Sequence, residues 1–550
     1  MATTLAIREQ SSEVRELQWR VSQYQSLHAR AVDRENNLKH EVQELHERTE
    51  LQQKKIDELL QANEKLKARE AWLEQQLFGQ KSEQTRGPAC QAQAGDLEVS
   101  ATAENTGDET KKRGKQRGTK GYGRKRRTEL PTEEVLHGLP QDQQRCPRCA
   151  KPFEDFPGTE DSDEIDWEVR LVRRVHKRAR YRPTCQCRAV PGIVAAPPPP
   201  KLIPKGMFSC GFWVRVLLEK FLFQRPLYRI RSVLALEGLY VSQGTLTGGL
   251  KLIEELFQPL YERICARSRE ATHWHMDETR WLVFVEVEGK ANHRWWLWVV
   301  ITNDTVVYLL EPTRSAAVPK KHLGESAEGI ISADRYSVYK ALGAKILVAF
   351  CWSHMRRDFI EVKDGYKKLF AWGQAWEFRI NNIFAINARR VKALSSDPDA
   401  FTLEDHALRA ALAGMSDERE RELQNPALHP AQRAALKSQH NHWSGLTIFV
   451  SCPRIPMDNN ESERRLRNPV MGRKNYYGSG SLWSGRLAAA TFTFFQTCLI
   501  NHIDPHKLSL AYLKACAKNG GRPPRALDDF LPWNLTEEQK AAWRYPKEPP

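Results

Sequence analysis

Over the first 78 residues the apolar positions return every seven. Leu17, Tyr24, Ala31, Leu38, Leu45, Gln52, Leu59, Leu66 and Leu73 hold one place in the repeat. Val14, Val21, His28, Glu35, Val42, Thr49, Ile56, Asn63, Glu70 and Leu77 hold the place three residues before it. No Gly or Pro occurs before Gly79, so the spacing predicts one long helix with an a/d seam and several polar interruptions, Asn63 among them. Such a seam predicts left-handed self-association into a homo-oligomer. The plainer alternative is a solvated helix packed on its own domain.

Further along, the period changes twice. Phe208 to Arg269 reads as helical, and within it Ile230–Leu246 runs helix, glycine turn, Ser242 N-cap, helix. That order is similar to a helix-turn-helix, but the second helix carries Gly244, Gly248 and Gly249 and few basic residues, so packing suits it as well as base reading. Strand-like runs follow at His273–Thr279, Trp281–Glu288 and Arg294–Ile301, the last two separated by Gly289-Lys290, then at Gly329–Ala333 and Ile346–Phe350. Helical patterns return over Tyr366–Arg390 and Leu403–His442. A turn signal, Pro456 and Asp458-Asn459-Asn460, then opens a short helix that Pro469 is expected to end.

At 550 residues the chain is long enough for three or more units. A formal net charge of +16 and a pI near 9.3 point to a polyanionic partner, nucleic acid first and an anionic membrane surface second. Mean hydropathy is −0.60. We find no signal peptide and no apolar run long enough to span a bilayer; Phe208–Phe223 and Ala488–Ile500 are too short. Eleven cysteines, an odd number scattered along the chain, predict a reducing, cytoplasmic setting rather than a disulfide scaffold.

The positive charge is concentrated. Between residues 111 and 127 lie ten Lys/Arg and no acid, including Lys111, Lys112, Arg113, Lys120, Arg124, Arg126, Arg127 and Lys125, with glycines that oppose helix formation. Such a run orders on phosphates and predicts non-specific DNA contact; a solubilising linker or a localisation run is the bland alternative. Next come Cys146-Pro-Arg-Cys149 and Cys185-Gln-Cys187, 35 residues apart. Four thiolates in two tight pairs predict a structural Zn²⁺ site, against four free buried thiols. Between them Val169–Tyr181 alternates like a basic strand, and His176 falls on its basic face. Pro197–Pro200 make a stiff linker.

Three acids sit at strand ends or on the late helix. Asp277 follows His273-Trp-His-Met, Asp334 follows Ile330-Ile-Ser-Ala, and Glu463 lies among Arg464, Arg465 and Arg467. Taken singly, Asp277 is a strand-end turn residue, Asp334 a helix cap and Glu463 a surface ion pair. Together, three carboxylates on two strands and a helix can hold two divalent cations for phosphoryl transfer. Three strands followed by mixed α and β elements is also the order of a ribonuclease-H-like fold.

Met276-Asp-Glu-Thr279, Cys351-Trp-Ser-His-Met-Arg-Arg-Asp-Phe359 and Asp458-Asn-Asn-Glu-Ser-Glu-Arg-Arg-Leu-Arg467 with Gly472-Arg-Lys-Asn475 resemble the IS66 family of insertion-sequence transposases. The heptad segment, basic run and cysteine module occur in that family's order, so the resemblance covers nearly the whole chain and is weakest at 360–440 and after about 518. It implies a multidomain α/β protein. Residues 1–78 are the coiled-coil helix, 79–130 a flexible basic linker, 131–195 the zinc module and 205–270 the helical DNA-binding region. A ribonuclease-H-like DDE core follows over 271–360 and 445–485, interrupted by a helical insertion at 361–444, with a helical C-terminus over 486–550. The separation of 129 positions from Asp334 to Glu463 leaves room for the insertion.

The resemblance further implies DNA strand cleavage and strand transfer at insertion-sequence ends with two Mg²⁺ (or Mn²⁺) per active site. Asp277 would bridge the ions and Asp334 and Glu463 complete their shells, with Glu461 the competitor for the third place. His354, Arg356 and Arg357 would lie near the phosphates, and Arg467, Arg473 and Lys474 would clamp the backbone. Expected partners are transposon and target DNA, further copies of the chain and small accessory proteins; the place is the bacterial nucleoid. Rival readings are an inactive transposase-derived DNA-binding protein, a nuclease without joining activity, and a structural coiled-coil protein.

Overall fold

A computed structural model describes residues 2–78, 148, 171–181, 193–286 and 293–545. They fall in two compact units, residues 1–82 with 175–550, and residues 83–174. Of the second, residue 148 and residues 171–174 are described. The basic run from Lys111 to Arg127 and all four candidate zinc ligands, Cys146, Cys149, Cys185 and Cys187, lie outside the described residues.

The basic strand expected over 169–181 is corrected where it is visible. Residues 171–179 are exposed and not in a strand, and pairing is confined to Arg180–Tyr181 against Val194–Ala195. Among the described residues Leu171, Val172 and Val175 are exposed, and an isolated two-stranded ribbon is marginal in water.

The heptad segment is one unbroken helix, α1 (Ala2–Phe78), about 115 Å long at 1.5 Å per residue. Its seam residues Leu17, Leu38, Leu45 and Leu59 are all exposed. Near its end Arg69 reaches Glu361 at 3.4 Å and Glu64 reaches His429 at 3.2 Å.

Helix α2 (Cys210–Leu217) runs into a π-turn at Leu218–Leu222. Helix α3 (Leu227–Leu236), Gly238 with φ +86°, and the Ser242 cap of α4 (Gln243–Arg269) reproduce the expected helix–turn–helix order. The cap is a hydrogen bond from the Thr245 N–H to the Ser242 hydroxyl. Leu246, Leu250, Ile253, Phe257, Leu260 and Ile264 bury one face of α4, and Gly249 leaves room for the Trp213 ring. This is a packing helix.

One mixed sheet stands at the centre of a mostly helical α/β protein. Its main strands are β1 (His273–Val283), β2 (Arg294–Ile301), β3 (Val306–Glu311), β4 (Gly329–Ala333) and β5 (Ile346–Phe350), in the order β3-β2-β1-β4-β5, and a two-residue strand at Gly478–Ser479 pairs parallel with the end of β1. The β1–β2 and β2–β3 pairs are antiparallel, and the β1–β4 and β4–β5 pairs parallel. Two expected strands, 273–279 and 281–288, are in fact one, because the ladder to β2 continues through Arg280 opposite Trp296. Strand β3 was not expected from the sequence. It is an edge strand, and two of its N–H groups, on Val306 and Tyr308, donate to the hydroxyls of Thr497 and Thr493. Those threonines lie on α11 (Leu482–Ile500), which is buried almost throughout, so a helix covers the edge.

After β4 comes a short turn of helix at Ser337–Lys340, and after β5 come α6 (Trp352–Gly365), α7 (Phe370–Ala393), α8 (Pro398–Leu423) and α9 (Pro430–Leu446). The last three build a second core from Trp376, Ile380, Ile383, Leu408, Leu412 and Leu436. Gly445 of α9 meets β5 so closely that a Cβ there would collide with the Val348 carbonyl and the Phe350 ring. The chain then returns to the sheet through α10 (Asn460–Tyr476) and α11, followed by α12 (Pro505–Lys518) and a short helix at Glu537–Ala542. For this numbering α5 is Ala317–Leu323.

Candidate active site

Strand β1 supplies the first acid. Side chains alternate across a strand, so Asp277 shares a face with His273, His275 and Thr279, while Glu278 points the other way. The Asp277 face meets α10: His275 Nδ1 lies 3.0 Å from Asn459 Oδ1, and Arg473 donates to Thr279 Oγ1 at 2.9 Å. Asp334 follows the last residue of the neighbouring parallel strand β4. Glu463 lies in the first turn of α10, where the helix dipole favours an acid.

The N-terminus of α10 is anchored by Asn459, which the sequence reading left without a role. This buried residue donates from Nδ2 to the Met276 carbonyl at 2.8 Å, and its own N–H meets Cys351 Sγ at 3.3 Å. Its Oδ1 accepts from Ser462 Oγ at 2.8 Å. One amide therefore joins β1, the end of β5 and α10. The Asp458-Asn459-Asn460 turn signal marked the place but not the work.

Pro469 does not end α10. The helix continues to Tyr476. Proline cannot donate to the carbonyl four residues earlier, and that carbonyl, on Arg465, accepts instead from the Tyr308 hydroxyl at 2.8 Å. A partner from β3 closes the gap that the sequence read as a stop.

The electrostatics tie the three acids together. Burial first, and then the negative charges of Glu278, Asp334 and Glu463, push the Asp277 carboxyl up to about 7, against the Glu278 N–H bond that lowers it. His354, on α6, stands with Nε2 3.6 Å from Glu463 Oε1. Burial and the charge of Arg357 hold His354 below the usual imidazole value, against Glu463 and Asp334. Its Nδ1 is buried and has no hydrogen-bond partner. Asp277, Asp334, Glu463 and His354 thus share one neighbourhood, drawn from four distant segments.

Glu461 is engaged elsewhere, in ion pairs with Arg464 at 2.9 Å and Arg465 at 2.8 Å. Arg356 donates to Asn381 of α7 at 2.8 Å. Arg357, Arg467 and Lys474 are exposed. Arg473 is bound to β1, donating to Thr279 and to the Arg280 carbonyl. Arg335, also without a role in the sequence reading, forks onto Asp358 at 2.5 and 2.7 Å and donates to the His354 carbonyl. It fixes the start of α6 against the loop that carries Asp334.

Among the described residues no group of three His, Cys, Asp or Glu side chains stands ready to hold a metal ion. What the acids share is an electrostatic neighbourhood, not a closed ligand cage. The donor chemistry is nonetheless that of a hard divalent cation, with carboxylate oxygens only. A cation there would favour the ionised form that burial and like charges oppose at Asp277.

A family model described as "Transposase IS66 family" matches residues 205–487. Two relatives come from Sinorhizobium fredii (strain NBRC 101917 / NGR234). "Uncharacterized protein y4jD" is 26% identical over 505 residues, covering 86% of this chain and 95% of its own. "Uncharacterized protein y4qI" is 26% identical over 411 residues, covering 70% of this chain and 73% of its own.

Proposed function

The chain belongs to the IS66 transposase family, and from that premise we propose that it cleaves and joins DNA strands at insertion-sequence ends, using Asp277, Asp334 and Glu463. Membership itself gives a transposase-related function; the chemistry and the residues are our reading. One observation carries it: the Asp277 carboxyl is raised to about 7 by burial and by a set of like charges that includes Asp334 and Glu463. Acids gathered without cations cost stability, and such sites are where function is to be sought. The strand order β3-β2-β1-β4-β5 supports a ribonuclease-H-like core.

Asp277, Asp334 and Glu463 would hold Mg²⁺ or Mn²⁺. When bound, a metal pair supplies an activated water or 3′-hydroxyl and a counter-charge for the leaving oxygen. The protein's own part is positional. Asp277, whose carboxyl burial and like charges raise, would have to be ionised to hold a cation. His354, kept neutral, faces Glu463. Glu461 is committed to two arginines, which favours Glu463 as the third acid. The exposed Arg357, Arg467 and Lys474 offer charge to the DNA backbone, while Arg473 holds α10 on β1.

The exposed seam of α1 supports self-association, which would bring two active sites to a pair of DNA ends. The basic run at 111–127 as a DNA contact, Zn²⁺ on Cys146, Cys149, Cys185 and Cys187, accessory proteins and a nucleoid setting complete the proposal. No helix among the described residues is long and apolar enough to cross a membrane. A second reading is an inactive descendant that binds DNA: among the described residues the three acids do not stand as a ready ligand cage. Incubating the purified protein, Mg²⁺ and the DNA ends that flank its gene separates the two. Joined products that disappear in Asp277→Asn uphold the first; binding without cleavage by the wild-type protein overturns it.

A further inference from the structure

Directly beneath the candidate acids, on the far face of the sheet, lies a cluster that the reaction scheme does not use. Glu278 is buried there beside Trp298 and Tyr339. Its Oε1 accepts from Arg314 Nε at 2.7 Å, with Nη2 at 2.5 Å, and its Oε2 accepts from the Tyr339 hydroxyl at 2.7 Å. The Arg314 guanidinium also lies over two rings, 4.8 Å from the centre of Trp296 and 3.9 Å from that of Tyr336. The Tyr336 hydroxyl donates to the Arg314 carbonyl at 3.3 Å, and the Trp298 indole N–H to the Thr313 carbonyl at 3.4 Å. Both ends of this arginine are therefore fixed.

The two residues it grips bear on the candidate metal ligands. The N–H of Glu278 donates to Asp277 Oδ1 at 2.8 Å, and the N–H of Tyr336 donates to Asp334 Oδ1 at 3.0 Å. Each aspartate is thus oriented by a backbone donor whose own side chain is held by Arg314. Strands β1 and β4 pair over His273–His275 with Ile330–Ser332. The ladder stops short of both aspartates, so it does not itself set the distance between Asp277 and the loop after β4.

We propose that Arg314 is a positioning residue which, through Glu278 and Tyr336, sets the spacing of the Asp277 and Asp334 carboxylates for a divalent-cation pair. This rests on the function proposed above. A planar fork that both pairs with a carboxylate and stacks on two rings is something lysine cannot supply, whereas a lysine would still neutralise Glu278. Arg314→Lys should accordingly fold, and it isolates geometry from charge.

The test is Mn²⁺ binding to the full-length protein by calorimetry, with DNA-end binding and thermal stability measured on the same samples. Arg314→Lys is expected to weaken Mn²⁺ about tenfold, the size typical of lost outer supports of metal ligands, with DNA affinity unchanged. Tyr336→Leu, which removes one of the two rings but leaves Trp296 and the Glu278–Arg314 pair, should give a smaller loss in the same direction. If Arg314→Lys and Tyr336→Leu both bind Mn²⁺ as the wild-type protein does, while Asp277→Asn loses it, the positioning role is overturned and the active site stands. If Asp277→Asn also binds Mn²⁺ normally, the active-site reading falls and takes this inference with it.

Discussion

Buried charge is treated in opposite ways by the sheet and by the helices that interrupt it. In the insertion, opposite charges are set against each other. Arg390, almost wholly buried, pairs with Asp405 at 2.5 Å and donates to the carbonyls of Phe449 and Val450; Arg419 meets Glu420 at 2.7 Å; Lys363 meets Glu377 at 2.6 Å. Midway along β1, Asp277 has instead two like-charged neighbours from distant segments and a third in Glu278. One region uses its ions to hold helices together. The other pairs Glu278 with Arg314 but, among the described residues, leaves Asp277, Asp334 and Glu463 without a Lys or Arg ion pair, an arrangement that costs stability.

The strongest way to break this contrast is through activity. Asp277→Asn, Asp334→Asn or Glu463→Gln should each lower strand cleavage by on the order of 10³-fold or more, as removal of several kcal/mol of transition-state stabilisation requires. A gel assay on labelled ends checks it, and DNA binding by mobility shift should be retained. Arg390→Met should act in the other manner. It takes away the donor to two buried carbonyls and one of the two arginines on Asp405, leaving Arg409 in place, a loss of about 3 kcal/mol, read as a lower midpoint in urea denaturation.

Stability against pH sharpens the comparison further. Folded Asp277 keeps its proton up to about pH 7, whereas an unfolded aspartate releases it near pH 4. The folded state is the better proton binder between those values, so this site's contribution falls as pH rises through that window. Asp277→Asn should therefore stabilise the metal-free protein by about 2 kcal/mol at pH 8 and by almost nothing at pH 4, seen as a thermal shift. Asp405 runs the opposite way. Burial works to raise its carboxyl, but hydrogen bonding to Arg409 and the charge and hydrogen bond of Arg390 hold it below the usual range. Its contribution is present above the unfolded value and is lost as pH falls through the folded one. The smallest effect expected is that of Tyr308→Phe, about 1 kcal/mol for the hydrogen bond to the Arg465 carbonyl, measurable by denaturation.

What the sequence made legible was whatever repeats or is spelled locally. The heptads of α1, the Ser242 cap and the apolar runs of β2, β4 and β5 all carry their signal within a few residues. Strand β3 escaped because Val306–Glu311 is short and its edge is satisfied by Thr493 and Thr497, nearly 200 residues away. Residues 273–283 were split because Arg280 looks like an interruption, while the ladder to β2 runs straight through it. Pro469 looked like a stop because nothing near it announces Tyr308. In the site, the acids could be picked out by type and position. Asn459, Arg335 and Arg314 could not, since each acts only on partners that the fold brings in from elsewhere.

Gly445 has a wider bearing. At that residue the inserted bundle touches the sheet with no space for even a methyl group, so the bundle is keyed into the strand that leads to His354. A module seated in this way cannot swing as a pendant arm. Any load placed on those helices passes into β5, and the notch left by a missing side chain is where it would be felt.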